Sequence, residues 1–184
     1  EGLIHLMPIQ QREPVQMPDS LREFNVLPSQ ARVNYDILMA ERMPALEKMV
    51  AESPLNHWEK GSGKMGVITY GVCDLYVREV KAALGLDLDI LSLAFTNPLP
   101  TRLIADFHAS IDGEVFVIED GYRYLQEAVA QEGLRVHGKP PYSTLTEWSP
   151  ALVAEKLGYS LPSRPVAVRA VTRPPVICAG CPYR

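Results

Sequence analysis

Hydrophobic positions change their rhythm along the chain, and the changes divide it. Residues 1–27 show little alternation, and Pro8, Pro14 and Pro18 interrupt any helical period, so an extended segment is expected there. From Ser29 onward, Val33, Ile37, Leu38, Met43, Leu46, Met49 and Val50 recur at helical spacing. Ser29 is the expected N-cap, and Pro44 is expected to kink this stretch or split it into two helices. Residues 53–63, with Pro54, Gly61, Ser62 and Gly63, read as a loop.

A different pattern starts at Lys64. Met65 to Tyr70 is a short apolar run ending at Gly71, the mark of a buried strand. Val72, Tyr76, Val80 and Leu84 then stand four residues apart, predicting a helix closed by Gly85. Ile90 to Phe95 is a second strand, and Asn97-Pro98-Leu99-Pro100 turns the chain into a helix with Leu103, Ile104 and Phe107 on its inner face. Glu114 to Ile118 is a third strand, followed by a helix carrying Tyr122, Leu125 and Val129 that ends at Gly133. Leu134 to His137 reads as a short fourth strand before Gly138. Apolar strands alternating with helices predict a mostly parallel sheet covered on both faces, a three-layer α/β/α domain with right-handed crossovers.

After Gly138 a loop rich in Pro and Ser leads to a helix opened by Ser149 at the N-cap and Pro150 at the first turn. Leu152, Val153 and Leu157 form its apolar side, and Gly158 closes it. Five prolines between Pro162 and Pro182 make the tail extended. The expected organisation is a helical and extended connector at 1–63, an α/β domain at 64–138, and a loop, helix and tail at 139–184.

With 184 residues the chain has room for one ordinary domain and an appendage, and 47% apolar residues supply a real core. The net charge of −4 and the scattered Lys and Arg argue against a nucleic-acid partner. There is no apolar run long enough to cross a membrane, and none is expected as a partner. The first residues lack a signal-peptide pattern and an initiator Met, which fits an internal piece, a processed chain or a tag remnant. Cys73, Cys178 and Cys181 form no disulfide framework, so a reducing cytoplasmic setting is expected.

The candidate chemistry is thin. Cys178-Ala179-Gly180-Cys181 admits a redox, a zinc or a linker reading. A redox pair needs a strand-to-helix junction, yet Pro182 follows directly. Zinc needs about four ligands, which two cysteines and a remote Cys73 do not supply. A linker role completed by residues elsewhere is favoured. Gly71 stands where open α/β sheets bind ligands, but its surroundings match no phosphate-binding motif, and a tight strand-to-helix turn explains it as well. Glu119 and Asp120 pair two carboxylates at a strand end, where acid–base work competes with stabilisation of a following helix N-terminus. His108 and His137 are isolated, and Cys73 reads as a small core residue.

Several segments nonetheless occur together: Thr69-Tyr70-Gly71-Val72, Leu93 to Pro100, Val117-Ile118-Glu119-Asp120, His137-Gly138-Lys139, and Arg173 to Pro182. In this order, from about Ser29 to the end, they resemble the large (alpha) subunit of indolepyruvate:ferredoxin oxidoreductase, of the thiamine-diphosphate-dependent 2-oxoacid:ferredoxin oxidoreductase group. The family pattern usually has Pro where Ala179 stands, His where Tyr183 stands, and a non-glycine where Gly121 stands, which marks a divergent branch.

The resemblance implies that residues 64–138 are the middle, transketolase C-terminal-like domain, and that the tail leads toward an absent thiamine-diphosphate domain. It implies a parent with thiamine diphosphate, Mg²⁺ and an iron–sulfur cluster. The parent's partners are thiamine-binding domains of the same chain, a small (beta) subunit and ferredoxin. The expectation is a structural, domain-organising piece with no catalytic residue, no metal and no cofactor of its own. Gly71, Cys178 and Cys181 touch a cofactor only in the parent's context. The alternative is a free-standing flavodoxin-like module binding a nucleotide or other small ligand near Gly71 and Asn97.

Overall fold

The computed structural model describes residues 8, 11–17, 19, 21, 24, 26–143 and 147–162. Its centre is a four-stranded sheet in the order β1-β3-β2-β4, with β1 His57–Glu59, β2 Met65–Tyr70, β3 Asp89–Leu93 and β4 Glu114–Ile118. β2 runs parallel to both β3 and β4, and β1 runs antiparallel to β3 at the edge. Helix α3 (Val72–Leu84) follows β2, α4 (Thr101–Ala109) follows β3, α5 (Tyr124–Gln131) follows β4, and α6 is Pro150–Lys156.

Register explains the two cores. Val67 lies between Ile90 and Phe116, while the next residue, Ile68, lies between Leu91 and Val117. Successive side chains point to opposite faces of a sheet. Accordingly Val67, Ile90, Phe116 and Ile118 pack with α3 and α6, while Ile68, Leu91, Val115 and Val117 pack with α4 and α5. An uninterrupted apolar run is thus what a strand covered on both sides requires, and the α/β/α expectation holds. Gly66 lets α4 approach, since a Cβ there would meet Ile111 Cγ1 at 2.9 Å and the Phe107 ring at 3.0 Å.

Several expectations need correcting. The loop expected at 53–63 contains the edge strand β1. Trp58 of that strand meets Phe107 edge to face at 5.3 Å, and Glu59 bonds to Arg78 at 2.5 Å and Lys81 at 2.6 Å on α3. Three residues are too few for alternation to show, and both anchors are remote in sequence. The fourth strand expected at Leu134 to His137 is a single parallel bridge between His137 and Phe116. Of the four-residue series that predicted α3, Val80 is buried and Val72 is exposed; Cys73, read as a core residue, is buried with Val77.

Helix α1 (Pro28–Ile37) starts one residue before Ser29, and Leu27 is its N-cap. Pro44 does split the segment: one π-helical turn, Leu38–Arg42, joins α1 to α2 (Met43–Ala51). Pro44 sits in the first turn of α2, where its missing N–H costs nothing. Ser149 caps α6 as expected, its hydroxyl accepting from the Leu152 N–H. Trp148, Val153, Ala154 and Leu157 enter the α3-side core, so residues beyond Gly138 complete the same core.

Candidate functional site

Because α3 covers one face and α4 and α5 the other, the chain leaves the adjacent strands β2 and β4 in opposite directions. Open α/β sheets bind ligands in the crevice at such a switch point, beyond the carboxyl ends of the strands. Gly71 stands at its mouth as the N-cap of α3, exposed, with φ 60° and ψ −140°. A Cβ there would touch nothing, so the backbone turn, and not lack of room, calls for glycine.

The crevice itself is filled. Glu119, 1% exposed, leaves the end of β4 and turns toward the start of α5, where its two carboxylate oxygens accept from the backbone N–H groups of Leu125 at 2.8 Å and Gln126 at 2.9 Å. The Tyr70 hydroxyl donates to the same carboxylate at 3.4 Å. Trp148 closes the crevice from the α6 side. Its indole N–H donates to the Glu119 carbonyl at 2.9 Å, and its backbone N–H to Asp120 Oδ1 at 2.8 Å. Lys139, 3% exposed, donates from Nζ to the Gly121 carbonyl at 2.7 Å, and its own carbonyl accepts from Gln126 at 3.1 Å. Lys139 and Trp148 are thereby fastened across the carboxyl ends of β2 and β4.

Electrostatics follow from this closure. Burial raises the Glu119 pKa, opposed by the Gln126 and Leu125 N–H groups and by Lys139. Burial lowers that of Lys139, opposed by Asp120 and Glu119. Burial, then the charge of Asp120, pushes the Cys73 thiol up to about 12. Burial, then Glu119, pushes the Tyr70 phenol up to about 12. Both stay protonated at neutral pH, so neither is a ready nucleophile or base. The acid–base reading of Glu119 and Asp120 gives way to the helix-stabilising one.

The structure brings Gly71, Cys73, Glu119 and Asp120, weighed separately in the sequence, to one place. Trp148 joins them without warning, and Lys139, noted only within the segment His137-Gly138-Lys139, joins them through burial that no local sequence pattern announces. Cys178 and Cys181 lie outside the described residues. His108 bonds through Nε2 to the Arg135 carbonyl at 2.8 Å, and the His137 ring lies 5.4 Å from that of Phe116; both are packing residues. Among the described residues no three His, Cys, Asp or Glu side chains are grouped so as to hold a metal ion.

Comparison with known proteins adds the family. No family model matches the chain. The indolepyruvate oxidoreductase subunit IorA of Archaeoglobus fulgidus is 31% identical over 174 residues, 86% of this chain and 28% of the relative. The IorA subunit of Methanothermobacter marburgensis is 32% identical over 177 residues, 88% of this chain and 28% of the relative. That of Thermococcus kodakarensis is 28% identical over 179 residues, 86% of this chain and 27% of the relative. The chain therefore spans little more than a quarter of the relatives it matches. In fold it is similar to a 2-oxoglutarate:ferredoxin oxidoreductase of Magnetococcus marinus solved with 2-oxoglutarate, coenzyme A and succinyl-CoA bound. The TM-score is 0.54 at 18% identity, over 73% of this chain and 24% of that one. On these grounds the chain is a homologue of part of the IorA subunit of indolepyruvate oxidoreductase, with the transketolase C-terminal-like fold of the 2-oxoacid:ferredoxin oxidoreductases.

Proposed function

We propose that the chain is a non-catalytic, domain-organising part of a 2-oxoacid:ferredoxin oxidoreductase subunit whose substrate is an aryl pyruvate such as indolepyruvate. The observation supporting this reading is the closed switch point: Trp148 and Lys139 occupy the place where an α/β module of this shape takes its ligand. Both Glu119 carboxylate oxygens, Asp120 Oδ1, Lys139 Nζ and the Trp148 indole N–H are engaged within the chain. The described residues also do not fit a diphosphate with its Mg²⁺, since they provide no cluster of metal-ligating side chains. Thiamine diphosphate, Mg²⁺ and an iron–sulfur cluster belong, in this proposal, to other domains of the parent, where they supply decarboxylation and electron transfer. A small subunit and ferredoxin are the parent's partners. A cytoplasmic setting is part of the same reading, supported by the free thiol of Cys73.

The experiment is a ligand panel on the 184-residue chain. Thiamine diphosphate with Mg²⁺, flavin mononucleotide and adenine nucleotides are expected to leave thermal stability unchanged, whereas any ligand bound at 100 times its Kd adds about 2.7 kcal/mol. The chain is expected not to decarboxylate indolepyruvate with an artificial electron acceptor. A shift with a nucleotide or flavin moves the assignment to a binding module, and turnover of indolepyruvate overturns the non-catalytic role.

A further inference from the structure

The helical arm ahead of the sheet carries apolar residues that none of the described residues covers. Helix α1 has no buried residue, and of the nine residues of α2 only Val50 is buried. Val33, Tyr35, Ile37, Met39, Leu46 and Met49 are exposed by between 36% and 61%. They do not form one stripe. At about 100° per residue, Ile37 lies about 40° from Val33, but Tyr35 lies about 200° away. Within α1 the apolar residues therefore stand on opposite sides of the helix. An amphipathic surface helix keeps its apolar residues on one side, and a helix apolar on several sides belongs inside a larger body.

We infer that this arm, residues 28–51, is the seat on which another domain of the same polypeptide closes. The inference rests on the longer-subunit reading above. The occupant follows from the length of the relatives and from the charge of the arm. The matched segment makes up only 28% of the IorA relatives, so in them the bulk of the chain is tethered to it, at an effective concentration that lets an apolar contact form without charge steering. The arm has none of the single-sign field that would favour a strongly charged partner: Arg32, Arg42 and Lys48 alternate with Asp36, Glu41 and Glu47.

The test is oxidative footprinting of the subunit expressed from the complete reading frame that contains this sequence, without any second subunit. Met39, Met49 and Tyr35 are expected to be modified at least tenfold more slowly in the folded subunit than in the same subunit in urea, at two protein concentrations a hundredfold apart. Substitution of Ile37→Glu together with Val33→Glu is expected to restore modification of Tyr35, with Tyr122, 92% exposed, unchanged as reference. Modification within threefold of the unfolded rate overturns the inference. So does protection lost on dilution, which marks a second copy, or protection that appears only when the second subunit is added. If the reading frame is no longer than this chain, the domain-organising reading falls with it; if the frame is longer and the arm stays reactive, only the inference falls.

Discussion

Replacing Glu119 by Gln isolates what holds the switch point shut. The side chain keeps its shape, loses its charge, and exchanges one acceptor oxygen for an NH₂ group. In the native protein both oxygens accept N–H groups from the first turn of α5, at 2.8 and 2.9 Å, in a site 1% exposed. One of those donors is left buried without a partner, a cost of about 1–3 kcal/mol. That corresponds to roughly 2–12 °C in Tm for a domain of this size. Denaturant titration of Glu119→Gln against the parent chain measures it, with exposed Glu127→Gln as a control expected to cost about 0.3–0.5 kcal/mol. The pH dependence has a definite sign. Burial raises the folded pKa of Glu119 above its unfolded value, so protonation favours the fold. Its contribution is fully present below the unfolded pKa and is lost as pH rises through the folded one. The mutational cost is therefore larger at pH 4 than at pH 7. A cost that shrinks on acidification would show that the two N–H bonds outweigh burial, and would refute this account of the site.

Three further outcomes are expected. Trp148→Phe keeps most of the packing and removes the indole bond to the Glu119 carbonyl, costing about 1 kcal/mol, whereas Trp148→Ala costs about 3–5 kcal/mol; urea unfolding of the pair separates bond from packing. Glu59→Gln loosens the edge strand by only about 0.5–1 kcal/mol because Glu59 is 33%, Arg78 34% and Lys81 23% exposed, and 1 M NaCl diminishes the difference. The bond from Lys81 holds the Glu59 pKa below its ordinary value, so this stabilisation is present above the unfolded carboxylate pKa and disappears as pH falls through the folded one, a trend opposite to that of Glu119. Cys73, buried and with its thiol pushed up to about 12, is expected to react with iodoacetamide at pH 8 on the order of 10³ times more slowly in the native chain than in urea, read from its own peptide by mass spectrometry.

The elements that could be read in advance share a cause. β2, β3 and β4 show as apolar runs because parallel strands covered on both faces need apolar residues at consecutive positions, and α3, α5 and α6 are bounded by Gly85, Gly133 and Gly158, all at positive φ. The elements that were misread draw their stability from remote partners. β1 exists because Glu59 reaches Arg78 and Lys81, and Trp58 reaches Phe107; nothing within His57–Glu59 announces a strand. The orientation of α3 depends on the packing of α6, which buries Cys73 and Val77 beside Val80 of the four-residue series and leaves Val72 exposed.

The sequence by itself determined the α/β class, the position of Gly71 at a strand-to-helix turn, and, through scattered motifs, kinship with a subunit of the 2-oxoacid:ferredoxin oxidoreductases. These are local or cumulative properties: a period, a turn requirement, a string of short matches in order. Only the tertiary structure decided that the ligand crevice of this fold is closed. That outcome depends on Lys139 and Trp148 meeting Gly121, Glu119 and Asp120 across separations of 18 to 29 residues, and no periodicity encodes a hydrogen bond between segments so far apart. The same carboxylate that reads as a candidate base in the chain becomes a helix anchor in the fold, because both of its oxygens are already taken.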